Sequence, residues 1–551
     1  MPVTSPRTRW IGLFVISLAV SLIIVDSTIV NVAVPSIVDE LGITSTEVQW
    51  VQESYTLVFA ALLLVFGTLG DRFGRRRMLV IGVVIFALAS VWAAFADSGS
   101  TLIMARVVQG VGGAMILPST LSTLNATFQG RERGIAFAVW GSTIGGMAAV
   151  GPLLGGWLTT DYSWRWAFGI NVPLGLLILV GLMLFVPATR AEHPPAIDVV
   201  GALLSIVASG ALVFGLIEGR TYGWWFTEEG LVLGDWEWPL DVSPIPFAFA
   251  LAVIAGAAFV AWGLRREREG RSTMLAFGLL RIPSFRNGNI AALIVSMGEF
   301  GIILSLPLWL QNVLGYDALQ TGTVLLALAG GSFLASGAGG SLSGKVAAVS
   351  IVRVGIALEI AGLIVIGLVI AVDTPWWAIA VGLLVYGMGV GLATAQLTGV
   401  VLQDVPVAAS GQASGTQSTA RQLGSALGIA VLGTVLFTSL GGALDTRLEA
   451  DGLPTAARDE IVQVVVDSAG AAIPALDAQS AQVAMEARQA FSDATRYSAF
   501  AAAGFLAIGL LATLRLTGSG GGASAGRREE PGAAEQGASE PRVGEPRPAE
   551  G

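Results

Sequence analysis

From Trp10 to Arg515 the chain repeats one pattern, about twenty successive apolar residues followed by a polar or charged connection, usually short. Twenty residues of helix rise about 30 Å, the thickness of a hydrocarbon core. The pattern selects a polytopic membrane protein made of helices. Approximate spans are 10–34, 48–70, 78–97, 99–124, 134–158, 168–188, 198–216, 246–264, 288–311, 319–343, 351–372, 376–400, 413–438 and 495–516. Composition agrees, with 54% hydrophobic and 13% charged residues, against roughly a quarter charged in soluble domains. The first run, "WIGLFVISLAVSLIIVDSTIVNVAVP", is too long for a signal-peptide core and has no small-residue cleavage site, so it reads as a retained span.

The net charge of −9 conceals an asymmetry between the two sides. One set of short loops holds Arg72, Arg75, Arg76, Arg77, Arg131, Arg133, Arg190, Arg265, Arg266, Arg268, Arg271, Arg281, Arg286, Lys345 and Arg353. The alternate loops offer little beyond Arg165 and Arg220, and carry Asp39, Glu40, Glu47, Asp97 and Asp317. By the positive-inside rule the basic loops and both termini are expected in the cytoplasm, with the protein in the cytoplasmic (inner) membrane. The same asymmetry speaks against a nucleic-acid surface. With no cysteine and one histidine, His193 in a loop, disulfides, thiolate chemistry and a His-based metal site or triad are not expected.

The spans group as six, two and six. Residues 1–190 are expected to form one six-helix bundle, 191–270 a pair of inserted transmembrane helices, and 271–516 a second six-helix bundle. Residues 441–493, with helical periodicity and an acidic balance, read as a small extracytoplasmic helical cap. Residues 517–551 are Gly, Ala, Glu and Pro with little apolar bulk and read as a disordered cytoplasmic tail. Two six-helix halves are an organisation transporters use, with the substrate site near the midplane between them.

Ionisable residues inside spans are costly and point to function. Here they are Asp26, Glu53, Arg106, Glu299, Glu359 and Arg421. Counting along the helices puts Asp26, Glu53 and Arg106 at one level in the outer half, where the carboxylates either meet Arg106 or take up a proton. Glu299 falls near the middle of its span, and Glu359 with Arg421 toward the inner half. Fixed ion pairs that only hold helices together are the plainer alternative. In "AVGPLLGGWL", Gly151, Pro152, Gly155 and Gly156 interrupt a span: Pro bends the helix and Gly admits a close neighbour. Both passive packing and a hinge fit that stretch.

"GTLGDRFGRRR", Gly67 to Arg77, sets one Asp and four Arg between two apolar runs. It resembles the signature loop of the major facilitator superfamily, matched at Gly67, Leu69, Asp71, Arg72, Gly74, Arg75 and Arg76. "LIMARVVQGVGGA" is similar to the family's helix 4 motif through Arg106, Gln109 and Gly110. "AVGPLLGGWL" resembles the antiporter motif, with Met147 where a further Gly is usual. "VDSTIVNVAVP", with Asp26, Thr28, Asn31 and Pro35, together with "SWRWAFGINVPLG" and "LQNVLGYDALQTG", resembles the fourteen-span drug:proton antiporter branch. The second-half counterpart of the signature loop departs from the pattern, with Gly344 where an Asp is expected.

The resemblance implies two bundles rocking about a central cavity, exporting an amphipathic or cationic small molecule in exchange for protons, as a monomer in the lipid bilayer, with no cofactor and no enzymatic activity. It assigns proton coupling to Asp26, Glu53, Arg106 and Glu299, with Glu359 and Arg421 as secondary candidates. Substrate contacts are expected from Asn31, Gln109, Trp309, Tyr386 and Gln396, although Trp and Tyr in spans also serve packing or interfacial anchoring. Gly67, Asp71, Arg72, Gly74, Arg75 and Arg76 would form a conformational gate: Gly67 admits a helix of the other half, and Asp71 faces that helix's positive N-terminal end while pairing with Arg75. A proton-coupled importer of a nutrient or siderophore is the rival on the same fold. No Walker-type loop is present, which argues against an ATP-driven pump.

Overall fold

The computed structural model describes residues 5–189, 196–228, 230–233, 236–342 and 345–516. His193, Gly344 and the tail 517–551 lie outside these, as does the side chain of Asn31. Among the described residues, fourteen helices are long and apolar enough to cross a membrane.

The first half comprises α1 (Pro6–Leu41), α2 (Ser45–Phe73), α3 (Arg75–Ala94), α4 (Gly99–Thr127), α5 (Gly130–Asp161), and the short α6 (Arg165–Gly169) with α7 (Asn171–Phe185). The inserted pair is α8 (Val199–Glu218) and α9 (Pro244–Arg268). The second half holds α10 (Pro283–Asn312), α11 (Ala318–Leu342), α12 (Ala348–Val369), α13 (Trp376–Val401) and α14 (Ser410–Ala450). After α15 (Thr455–Asp467) and α16 (Ile473–Gln479), α17 (Ala481–Ala512) completes it.

Local chemistry sets several boundaries. Thr44 and Glu47 form a reciprocal capping box that starts α2. Gly74, at φ 105°, makes the turn into α3, a conformation side-chain-bearing residues rarely adopt. The sixth span breaks into α6 and α7 around Ile170, close to Pro173, whose missing N–H suits a first helical turn.

The halves meet where α2 packs on α14 and α5 packs on α11 and α13. The inserted pair lies beside α2 and α14, with Val213 and Leu216 of α8 buried against Ala60, Ala426 and Ala430. Large apolar side chains such as Leu177, Leu184, Val253 and Ile254 remain exposed, as lipid-facing surfaces must.

The connection between α8 and α9 contains a short two-stranded antiparallel pair, Val232–Leu233 with Trp236–Glu237. In the segment 441–493, the ends of α14 and α17 run on past the spans, with α15 and α16 between them. Leu440, Leu444 and Leu448 carry α14 outward on one buried stripe that packs on Val465, Ile473 and Phe491, and Arg447 pairs with Glu486 at 3.1 Å and Asp493 at 2.8 Å.

Candidate functional site: a closed seam, a cavity and two charge clusters

Four features follow from this packing. The first is a seam at the end of the molecule that carries the arginine-rich loops, here called the basic end. A Cβ added at Gly67 would fall 2.6 Å from the Gly411 carbonyl oxygen and 2.7 Å from the Gly415 Cα, so α2 and α14 touch backbone to backbone. That contact brings Asp71 against the first turn of α14, where its buried carboxylate accepts Gly411 N–H at 2.8 Å and Gln412 N–H at 3.0 Å. Arg75 donates to the same carboxylate at 2.8 Å and to the Val407 carbonyl at 2.7 Å. The unpaired N–H groups of a helix start, carrying partial positive charge, are a natural partner for a carboxylate.

Not every residue of the signature loop joins the seam. Arg76 turns back to the Met183 carbonyl in its own half. Instead, Asn125 reaches Ser410 at 2.9 Å and Arg133 reaches the Gly399 carbonyl at 2.9 Å, two cross-half bonds that motif matching missed.

A strap formed by residues 271–276 also crosses here. Thr68 of the first half donates to the Met274 carbonyl and Gln412 of the second to the Thr273 carbonyl, each at 2.9 Å. Asp198, the N-cap of α8, holds the strap by accepting from Met274 N–H at 3.3 Å and from the Trp262 indole at 2.9 Å. Its visible signal in the sequence is an Asp one residue before an apolar run, which reads as a helix cap and nothing more.

The second feature is the first-half charge cluster. Asp26 is fully buried and accepts from Arg106, from Gln109 at 3.1 Å and from Asn171 at 2.6 Å. Arg106 also donates to the Val51 carbonyl at 3.1 Å and stacks over Tyr55. Glu53 is not part of this cluster. It faces the Glu218 carboxyl at the end of α8, because equal depth on neighbouring helices says nothing about which way each side chain points. Behind Asp26, α5 packs on α1: a Cβ at Gly151 would fall 1.8 Å from Thr28 Oγ1, and one at Gly155 would fall 3.0 Å from the Ile29 carbonyl. Gly156 turns the other way, toward Leu319 of the second half, and Pro152 interrupts α5 between these contacts.

The third feature lies in the second half. Glu299 of α10 accepts from Thr394 Oγ1 at 2.7 Å and pairs with Arg421 of α14 at 3.6 Å. Tyr386 donates to the Glu299 carbonyl at 3.1 Å. Glu359 of α12 is fully buried nearby, and neither carboxyl oxygen has a hydrogen-bond partner among the described residues. Arg421 therefore pairs with Glu299 and not with Glu359. Glu359 lies midway along α12, deeper than the inner-half placement expected from the sequence.

The fourth feature is a cavity of about 220 Å³ between the halves. Tyr55, Phe59, Trp140 and Phe300 supply aromatic walls, Gln417, Ser418 and Gln422 supply polar ones, and Arg421 reaches it from the Glu299 pair. None of Gln109, Trp309, Tyr386 and Gln396 is among its lining residues. Gln109 serves Asp26, Trp309 donates to Ser492 at 3.0 Å, Tyr386 serves Glu299, and Gln396 donates to the Gly134 carbonyl at 3.4 Å. The buried polar tips of such side chains find the nearest acceptor. Among the described residues no three carboxylate or imidazole groups converge as a metal-ligand set.

Known proteins match this architecture. The family model of the Major Facilitator Superfamily matches residues 16–429. The chain is 34% identical over 478 residues to a probable actinorhodin transporter of Streptomyces coelicolor, covering 82% of this chain and 79% of that protein. It is 32% identical to the multidrug efflux pump LfrA of Mycolicibacterium smegmatis, covering 91% and 94%. Among solved structures, the human organic anion transporter MFSD10 superposes with a TM-score of 0.56 at 13% identity, covering 93% and 100%. The proton:xylose symporter XylE gives 0.54 at 14% identity, covering 93% and 95%, and both speak to the fold alone. With two six-helix halves, an inserted helix pair and a family match across most of its length, the chain belongs to the major facilitator superfamily.

Proposed function

We propose that the protein is a proton-coupled antiporter that exports amphipathic or cationic compounds, such as drugs or antibiotics, across the cytoplasmic membrane by alternating access. On this reading the basic end and both termini face the cytoplasm, and one chain suffices. The observation that carries it is the cavity between halves whose basic end is shut by Asp71, Arg75 and the first turn of α14, with Arg421, the partner of Glu299, at its wall. The name of one relative, a multidrug efflux pump, supports the direction of transport.

The chemistry follows from that pair. A proton reaching Glu299 from outside neutralises the carboxylate and leaves Arg421 as an uncompensated positive charge beside the substrate. A bound cation is then repelled and leaves outward. For a neutral substrate exchanged for one proton, one charge falling through 100 mV releases about 2.3 kcal/mol, which at about 1.4 kcal/mol per decade sustains a gradient on the order of fiftyfold. A monovalent cation exchanged one for one moves no net charge and is driven by the pH difference alone, about 1.4 kcal/mol per pH unit.

The test is uptake of ethidium, a cationic dye, into everted membrane vesicles with and without a proton gradient. Accumulation that requires the gradient is expected. Accumulation indifferent to it, or dye moving in the same direction as the proton, would overturn antiport in favour of a facilitator or an importer.

A further inference from the structure

The two buried carboxyl clusters differ in kind. Asp26 accepts from an Arg, a Gln and an Asn side chain. Glu359 is as completely buried, and neither of its oxygens has a hydrogen-bond partner among the described residues. It sits midway along α12, about 15 Å from either end at about 1.5 Å per residue. An ionised carboxylate in such a place costs far more than the neutral acid. A carboxyl that merely tied helices together would need a donor, as Asp26 has.

The surroundings tell what Glu359 exchanges its proton with. The ionisable groups acting on it come from separate helices: Glu299 on α10 and Arg421 on α14, with Tyr386 on α13 close to both acids. The neighbouring arginines are committed elsewhere. Arg353, near the start of α12 itself, donates to the Thr513 carbonyl, and Arg496 of α17 donates to the Gly367 and Ile370 carbonyls at the other end of α12. Glycines close the α12 to α13 contact around the acid. A Cβ at Gly389 would fall 2.6 Å from Glu359 Cγ, and one at Gly362 would fall 2.5 Å from Tyr386 N. A small shift between these helices therefore changes what the carboxyl meets.

We infer that Glu359 takes up and gives back the driving proton and that Glu299 and Arg421 join it to the central cavity, while Asp26 ties its helices together; this rests on the proton-coupled reading above. With the basic end closed, Glu359 holds the proton as a neutral acid. The proton comes from the outer water by way of the cavity and Glu299, forming one O–H bond on the carboxylate. When the seam opens, Arg421 stabilises the carboxylate and the proton passes to cytoplasmic water. Nothing else is consumed or released.

The experiment uses the full-length protein in everted vesicles with ethidium as the probe and two readouts: accumulation driven by a proton gradient, and exchange of preloaded for external ethidium at equal pH on both sides. For Glu359→Gln, accumulation falls about tenfold or more while exchange stays within about twofold and becomes insensitive to pH. Glu359→Asp, which keeps the acid, retains gradient-driven accumulation. Wild-type accumulation by the Gln variant overturns the assignment of Glu359. So does loss of exchange together with accumulation in both variants, the mark of a purely structural carboxyl. A wild-type protein that ignores the gradient overturns the antiporter reading itself, a result separate from both.

Discussion

Asp71 of α2 accepts the backbone N–H of Gly411 on α14 at 2.8 Å, so a carboxylate of one half closes on the first turn of a helix in the other. Asp71→Asn keeps the shape but removes the charge and turns an NH2 group toward backbone donors. It should cost the closed state about 1–3 kcal/mol and favour a conformation open at the basic end. Distances between spin labels at the basic ends of α2 and α14 would report this cleanly, since the protein has no native cysteine. An unchanged distance distribution would refute the latch.

A second prediction concerns Gly151, where a Cβ would overlap Thr28 Oγ1 at 1.8 Å. Gly151→Ala should sharply reduce transport, and adding Thr28→Ala should recover part of it by removing the clashing hydroxyl. If the double variant is no better than the single one, the contact of α5 with α1 is not what demands glycine.

The buried Asp26 and Arg106 pair should matter for stability more than for coupling. Arg106→Met leaves Asp26 without its cation, and breaking such a pair costs about 3–5 kcal/mol. The expected result is a lower unfolding temperature of the purified protein in detergent, shared by Asp26→Asn. An Asp26→Asn protein with unchanged stability and no gradient-driven transport would instead make Asp26 a proton carrier.

Glu299→Gln leaves Arg421 uncompensated at the cavity wall. The KM for a cationic dye should rise about tenfold, equivalent to about 1.4 kcal/mol, while that for a neutral amphiphile moves little. Equal shifts for both would show that Arg421 does not sense substrate charge.

Asp198 anchors the strap that touches Thr68 and Gln412. Asp198→Ala strands the Trp262 and Met274 donors, at about 1–3 kcal/mol. Hydrogen exchange at residues 271–276 should rise, together with partial opening of the basic end. Exchange as slow as in the native chain would show that the inserted pair does not support closure.

Much of the architecture is legible in the residues because a bilayer imposes one strong rule: an apolar run of a given length must be a spanning helix. The fourteen spans, the two halves and the inserted pair follow from that rule and the loop charges. The contact at Gly67 and Asp71 is also readable, since only a glycine permits backbone touch and a carboxylate suits a helix start. The sequence gives depth as well, at about 1.5 Å per residue.

Azimuth is what only the tertiary structure decided. Each residue turns a helix by about 100°, and the packing of neighbours selects which face meets which. Glu53 shares a level with Arg106, yet it faces Glu218 because Asp26, Gln109 and Asn171 close the space around Arg106. Trp309 and Tyr386 have the chemistry of ligand contacts and instead reach Ser492 and the Glu299 carbonyl. Arg421 meets Glu299, and Glu359 is left in an enclosed place without a donor among the described residues, because α10, α12, α13 and α14 converge there from segments far apart in the chain. Hydropathy determined which segments enter the membrane, and helix packing determined which of their charges meet.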